Sequence, residues 1–137
     1  MKTINATKGE FVNLINGLFA VQELKGKKFS LVVSKNIILL REELKELEDM
    51  GKPSEEFMKL SQKVNEIANE NSKDSKEIID KLEEENKELV EKRRKQMADV
   101  TVKMAEEMEV KLNVIPENSL PEDITAKQIN QLEKIIK

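Results

Sequence analysis

Apolar residues recur along this chain at two different periods, and the changes of period divide it into elements. Phe11, Leu14, Ile15, Leu18 and Val21 return at steps of three and four, with Leu24 closing the series and Phe19 widening the face. That is the spacing of a single buried stripe on a helix. Thr7 stands before the stripe with Glu10 three residues on, the pair whose side chains satisfy each other's backbone amides at a helix start. Gly26 is the expected stop, so a first helix is predicted over residues 8–25. The next stretch reads two ways, because Phe29, Leu31 and Val33 alternate as in a strand while Phe29, Val33, Ile37, Leu40, Leu44 and Leu47 keep helical spacing. The helical series is the longer one and runs into the charged repeat Arg41 to Asp49. A helix over 30–50 is therefore predicted, stopped by Gly51 and Pro53. Ser54 caps a third helix over 55–70, in which Phe57, Leu60, Val64 and Ile67 form a narrow seam.

Asp74, with Glu77 in the capping-box position, starts the longest predicted helix, over 75–107. Ile79, Leu82, Leu89, Met97, Val100 and Met104 recur along it, and Asn86 and Arg93 occupy the same stripe. Only about two residues per turn are apolar, a coiled-coil seam rather than a broad core-facing surface. Glu77 with Lys81, Glu83 with Lys87, Glu88 with Lys92 and Glu91 with Lys95 stand in the favoured order four residues apart. Together such pairs contribute about 1–2 kcal/mol, which aids nucleation without replacing packing. This helix needs a partner. Past Met104 the period changes to two: Met108, Val110, Leu112 and Val114 alternate with Glu109, Lys111 and Asn113, which predicts a strand over 108–115. Pro116, Asn118, Ser119 and Pro121 form a turn. Thr125 with Gln128 caps a last helix over 126–136 carrying Ile129, Leu132, Ile135 and Ile136, with Ile124 placed to staple Ile129.

A lone strand leaves its backbone groups unpaired. The one other candidate is residues 2–5, so the economical arrangement joins the N-terminus to residues 108–115, near Thr3 and Leu112. The predicted fold is mainly α, a helical hairpin or coiled-coil-like bundle with a small two-stranded β element, in a single domain over 1–137.

Composition narrows the function classes. The chain has 137 residues, 38% hydrophobic and 37% charged, with aromatics at 3%. That balance favours helices with wide solvated faces over a large core. There is no cysteine and no histidine, which removes disulfides, thiolate chemistry, the commonest metal ligand and the usual general base. Neither a cofactor nor a metal is expected, and the chain reads as no enzyme. The run from Phe11 to Val21 is broken by Asn13, Asn16 and Gly17, so it fits neither a signal peptide nor a membrane span. The expected setting is the cytoplasm, without a membrane.

The candidate chemistry is sparse. Glu83, Glu84 and Glu85, or Glu106 and Glu107, are formally paired acids, but neighbouring glutamates on a helix diverge into water, where neither pKa is raised for acid catalysis. Lys92, Arg93, Arg94 and Lys95 are the best candidate anion contact. Glu88 and Glu91 dilute their field and no aromatic stands by for base stacking, so partner-helix pairing ranks ahead of nucleic-acid binding. The net charge of -3 agrees with that order. Asn86 either fixes the register of a helical seam or lies at its edge facing water. Met97, Met104 and Met108 either form an adaptable surface or fill an ordinary core. The candidate interaction stripe is Leu82, Asn86, Leu89, Arg93, Met97, Val100 and Met104.

The order of features resembles one family of small proteins of tailed bacteriophages. The resemblance lies in Phe11-Val12-Asn13-Leu14-Ile15-Asn16-Gly17-Leu18 after a short strand, and in Val33-Ser34-Lys35-Asn36 leading to Leu44-Lys45-Glu46-Leu47. It continues in the alternation Glu109 to Leu112 and in Ile124-Thr125 to Leu132. The chain departs from the pattern near Gly26, where a Leu-Pro pair often sits, and in its longer middle helix. The resemblance implies a phage origin and no active site. The expected function is that of a non-enzymatic protein acting by protein–protein contact, as a virion or assembly accessory or as a binder of a host protein. It would sit in the host cytoplasm or on the virion, and homo-oligomerise through the long helix. A regulatory nucleic-acid binder using residues 92–95 is the alternative.

Overall fold

A computed structural model describes residues 1–137. The chain runs β1 (Lys2–Thr7), α1 (Lys8–Ala20), α2 (Lys27–Glu43), α3 (Lys45–Gly51), α4 (Glu55–Glu70), α5 (Ser75–Glu85), α6 (Lys87–Met104), β2 (Glu107–Leu112) and α7 (Ala126–Gln131), with 3-10 turns at Glu117–Ser119 and Glu133–Ile135. It is mainly helical with one small antiparallel sheet. Residues 1–137, expected as one domain, pack as two compact units: Met1–Glu48 with Val102–Lys137, and Asp49–Thr101.

In the first unit β1 and β2 pair with Lys2 opposite Leu112 and Thr7 opposite Glu107, so the sheet expected between the N-terminus and residues 108–115 forms. Alternation puts Ile4, Ala6, Val110 and Leu112 on its buried face. Phe11, Leu14, Ile15 and Leu18 of α1, and Phe29, Val33, Ile37 and Leu40 of α2, are buried with them. Both capping boxes close. Thr7 Oγ1 accepts from Glu10 N at 3.1 Å, and Thr125 Oγ1 accepts from Gln128 N at 3.2 Å, with each acidic or amide side chain accepting from the cap residue's own N–H.

Several boundaries differ from the expected ones for local reasons. The first helix ends at Ala20 rather than 25, because Val21 N–H and Leu24 N–H turn to carbonyls three residues back, Leu18 O and Val21 O. Gly26 then precedes α2 rather than terminating α1, at φ 138°, a backbone region that a side chain disfavours. Residues 27–33 are helix, not strand. The helix expected over 30–50 is interrupted at Leu44. β2 stops at Leu112 because the N–H groups beyond it change partner. Asn113 N donates to Asn36 Oδ1 at 2.8 Å, and Ile115 N donates to Ile135 O at 2.7 Å. Asn36 is fully buried, and its Nδ2 returns a bond to Asn113 O at 2.9 Å. One side chain thus imitates a strand neighbour, satisfying backbone groups whose burial would otherwise be costly.

In the second unit the chain doubles back on itself. Ser54 Oγ accepts from Phe57 N at 3.1 Å to start α4. Asn71 ends it in the left-handed conformation at φ 47°, which asparagine tolerates better than most residues. The expected cap at Asp74 makes no side-chain hydrogen bond. The turn is held instead by Ser75, whose Oγ accepts from Ser72 N at 3.0 Å and donates to Ile67 O at 3.1 Å.

Candidate functional site

The expected interaction stripe falls on α5 and α6, and its members do not share one environment. Leu82, Asn86, Leu89 and Arg93 are half-buried, Met97 is exposed and Val100 is buried; these six belong to the unit Asp49–Thr101. Met104 belongs to the other unit, where it lies so close to Gly9 that a Cβ there would meet its carbonyl oxygen at 3.3 Å. Met108 pairs with Ala6 in the sheet. Met97 thus lies in one unit, and Met104 and Met108 lie in the other.

Asn86 interrupts the helix expected over 75–107. Its Nδ2 donates to Leu82 O at 2.8 Å, the carbonyl that Asn86 N also reaches at 3.1 Å. The amide competes with the helical ladder for one acceptor, and the backbone there opens to φ -112°, ψ 28°. Asn86 is thus occupied within its own helix.

Arg93 departs most from the sequence reading. Its guanidinium Nη1 donates to Gly51 O at 2.8 Å and to Gln96 Oε1 at 2.9 Å. Gln96 Nε2 in turn donates to Met50 O at 2.8 Å and Lys52 O at 2.6 Å. Helix α3 ends at Gly51, so its terminal carbonyls, which have no intrahelical donors, are met by side chains from α6. The guanidinium also sits over the Phe57 ring, 5.6 Å from its centroid, a cation–π contact that joins α4 to α6. Phe57 was placed in the α4 seam by its spacing, but Gln96 is a neighbour of Arg93 that spacing alone did not single out. A polar Gln96 lying three residues from a polar Arg93 inside an apolar stripe was the available signal.

The remaining basic residues of that run, Lys92, Arg94 and Lys95, are exposed. The ion pairs within 4.0 Å are Lys8 with Glu106, Lys52 with Asp49, Lys103 with Glu46 and Glu106, and Lys134 with Glu10. The expected Glu-to-Lys pairs of α5 and α6 are not among them, nor are Glu83, Glu84, Glu85 or residues 92–95.

Around Phe57 the surface forms open grooves. One, of about 980 Å³, lies along Pro53, Met58, Gln62 and Asn65; another, of about 540 Å³, lies between Ser54 and Leu89, Lys92 and Gln96. No group of three or more acidic side chains converges to hold a metal. The carboxyls shifted by their surroundings are elsewhere, in the first unit. Lys134 and the Thr7 backbone hold Glu10 below the usual carboxylate range, and Lys8 and Lys103 do the same for Glu106. Both are exposed ion-pair members, the ordinary setting of a structural contact. No protein-family model, curated protein or solved structure matches this chain. No helix is long and apolar enough to cross a membrane.

Proposed function

We propose that this protein is a non-enzymatic phage protein that works by protein–protein contact, with the doubled-back helices of residues 49–101 as its interaction element. The observation that carries the reading is the incomplete burial of that element. Along α4 only Leu60 is buried, while Phe57, Val64 and Ile67 are half-exposed and Met58 stands 56% exposed. Opposite them Ile79, Leu82, Leu89 and Val90 are also half-exposed, and Ile78 is 46% exposed. Apolar area left in water at about 25 cal/mol per Å² is a driving force held in reserve for association. The finer architecture that follows is a helical hairpin that completes a coiled-coil-like bundle only with a partner. Its setting is the host cytoplasm or the virion, as an assembly accessory or a binder of a host protein.

Light scattering after size exclusion tests the association: the wild type is expected to exceed monomer mass, and Leu89→Asp to return it to monomer with the fold retained. Mass spectrometry of purified virions separates the structural role from the host-directed one, and absence from virions at any copy number removes the former. The exposure of Lys92, Arg94 and Lys95 supports a second reading, a regulatory nucleic-acid binder. It requires a salt-sensitive affinity for DNA or RNA that disappears in Arg94→Glu/Lys95→Glu, and no binding at low salt removes it.

A further inference from the structure

We infer that the open edge of β1 is a docking site for an extended segment of another protein, which joins the sheet as a third strand antiparallel to β1 and brings an acidic side chain to Lys2. This surface lies in the unit of residues 1–48 and 102–137 and goes beyond the hairpin reading without depending on it.

The register decides which backbone groups are free. Lys8 N donates to Glu106 O at 2.9 Å, and the same phase runs on through Ala6 opposite Met108, Ile4 opposite Val110 and Lys2 opposite Leu112. In an antiparallel ladder such bonded pairs alternate with pairs whose N–H and C=O groups point away from the neighbour. Thr3, Asn5 and Thr7 are that outward set. Thr7 N is taken by Glu10 Oε1, whereas neither Thr3 nor Asn5 has a partner in the chain for its outward N–H and C=O. Both residues are exposed. Two donors and two acceptors repeating about every 7 Å are matched by another extended chain, whose main-chain bonds supply affinity.

The far edge of the sheet is protected by comparison. Just past β2, Asn113 is bonded to Asn36, and Ile115 to Ile135 and Lys137. The exposed positions of β2 itself include Glu107, Glu109 and Lys111. Charged side chains and covering elements are the devices by which sheet edges avoid pairing with other chains. Past Lys2, β1 carries no charge and no proline, and no other element bonds to its outer edge before the Thr7 cap.

A groove of about 730 Å³ adjoins this edge and sets the chemistry of the segment. Lys2 at one end of β1 and Glu10, whose carboxylate caps the other end, both line it, together with Asn13 of α1 and Asn130, Gln131 and Lys134 of the C-terminal segment. Lys2 shares its face of β1 with Ile4 and Ala6. Alternate side chains of an added strand therefore point to the groove side and meet amides, which suit hydroxyl or amide partners. Glu10 is paired with Lys134 at 2.9 Å, but Lys2 is in no ion pair. An antiparallel strand finishes at the Lys2 end, so the free ammonium selects a segment that closes on an acidic residue.

Titration with the peptide acetyl-Thr-Val-Thr-Val-Thr-Asp-amide, followed by amide NMR and hydrogen exchange, tests the site. In the free protein the N–H groups of Thr3 and Asn5 should exchange fast while those of Ile4 and Ala6 are protected. Bound peptide should slow Thr3 and Asn5 about tenfold or more. Asn5→Pro removes an outward N–H that the ladder does not use, at the kind of edge position where proline is tolerated. It should lose peptide binding while Ile4 and Ala6 stay protected. Should that variant fail to fold, the peptide carries the same test, since N-methylation of all its residues should abolish binding to the wild type. Ending the peptide in Asn, or Lys2→Glu in the protein, should each weaken binding about threefold, and more at low salt. Unchanged affinity in both would overturn the antiparallel orientation with its acid at Lys2. No change at Thr3 and Asn5 at millimolar peptide, equal binding of the N-methylated peptide, or protection gained at Glu109 and Lys111 instead would each overturn the site. Thr3 and Asn5 amides that already exchange slowly in the free protein, and more slowly at higher protein concentration, would overturn it in favour of a second copy of the chain.

Discussion

The two units of this protein are built from similar apolar spacings and reach opposite degrees of closure. All the buried apolar residues except Leu60 and Val100 belong to the unit made of residues 1–48 and 102–137. There a sheet face, α1, α2 and the C-terminal segment cover one another on several sides. In residues 49–101 each helix has a neighbour on one side, so a stripe of the same periodicity stays half in water. Periodicity states which side chains share a face; it does not state how many other faces will meet it.

The contrast should appear most strongly in core truncation. Phe11→Ala removes a fully buried ring and is expected to cost about 3–5 kcal/mol, whereas Val64→Ala on the half-exposed seam should cost about 1 kcal/mol or less. Urea unfolding of both variants checks the ratio, and equal losses would mean that Val64 is covered in solution. Asn36→Ala comes next. It strands Asn113 N–H in a dry interior at an expected cost of about 1–3 kcal/mol, and amide exchange should locate the loss at β2 and Asn113. Arg93→Ala removes a half-buried donor and the Phe57 contact, for about 1 kcal/mol. Its signature should be faster exchange confined to residues 49–57 and the start of α6. If protection in β1 and β2 falls equally, the two regions do not respond separately.

The smallest effect concerns pH. Glu10 and Glu106 have lowered pKa values in the folded protein, so each contributes stability that is present above the ordinary 4.5 and is lost as pH falls through the lowered value. Lys103, raised from 10.5 by Glu106 and then by Glu46, contributes below 10.5 and loses that contribution as pH rises through its raised value. All these groups lie in the first unit. Mild acid should therefore weaken backbone protection in β1, β2 and α1 before that in α4, as measured by exchange between pH 5 and pH 3.

What was legible in the sequence follows the range of the interactions. Thr7 with Glu10, Ser54 with Phe57 N and Thr125 with Gln128 act over three residues and could be read directly. The sheet was legible because an unpaired strand is untenable. Asn36 was not, because its partner is 77 residues away and a polar residue within an apolar helix gives no hint of which backbone it will meet. Asp74 was read as the cap from its spacing to Glu77, whereas the turn is held by Ser75, whose bond to Ile67 O depends on where α4 ends. In the candidate stripe, Leu82 and Leu89 were found by periodicity. The split that takes Met104 into the other unit, and the engagement of Arg93 with Gly51, depend on tertiary contacts over tens of residues.

The link between Arg93, Gln96 and the carbonyls of residues 50–52 also bears on the order of folding. The first unit is discontinuous, and β1 cannot meet β2 until the intervening chain brings its ends together. Closing a flexible loop costs entropy that grows with the logarithm of its length, about 0.6 kcal/mol per doubling. Residues 49–101 are rich in local helical contacts, which form fast. Once Met50 and Gln96 are joined, the path between Thr7 and Glu107 shortens from about 100 residues to about 55, a saving of about 0.5 kcal/mol on the same scale. The insert would then fold first and serve as the short circuit through which the sheet assembles, and Arg93→Ala should slow refolding of the strands that it never touches.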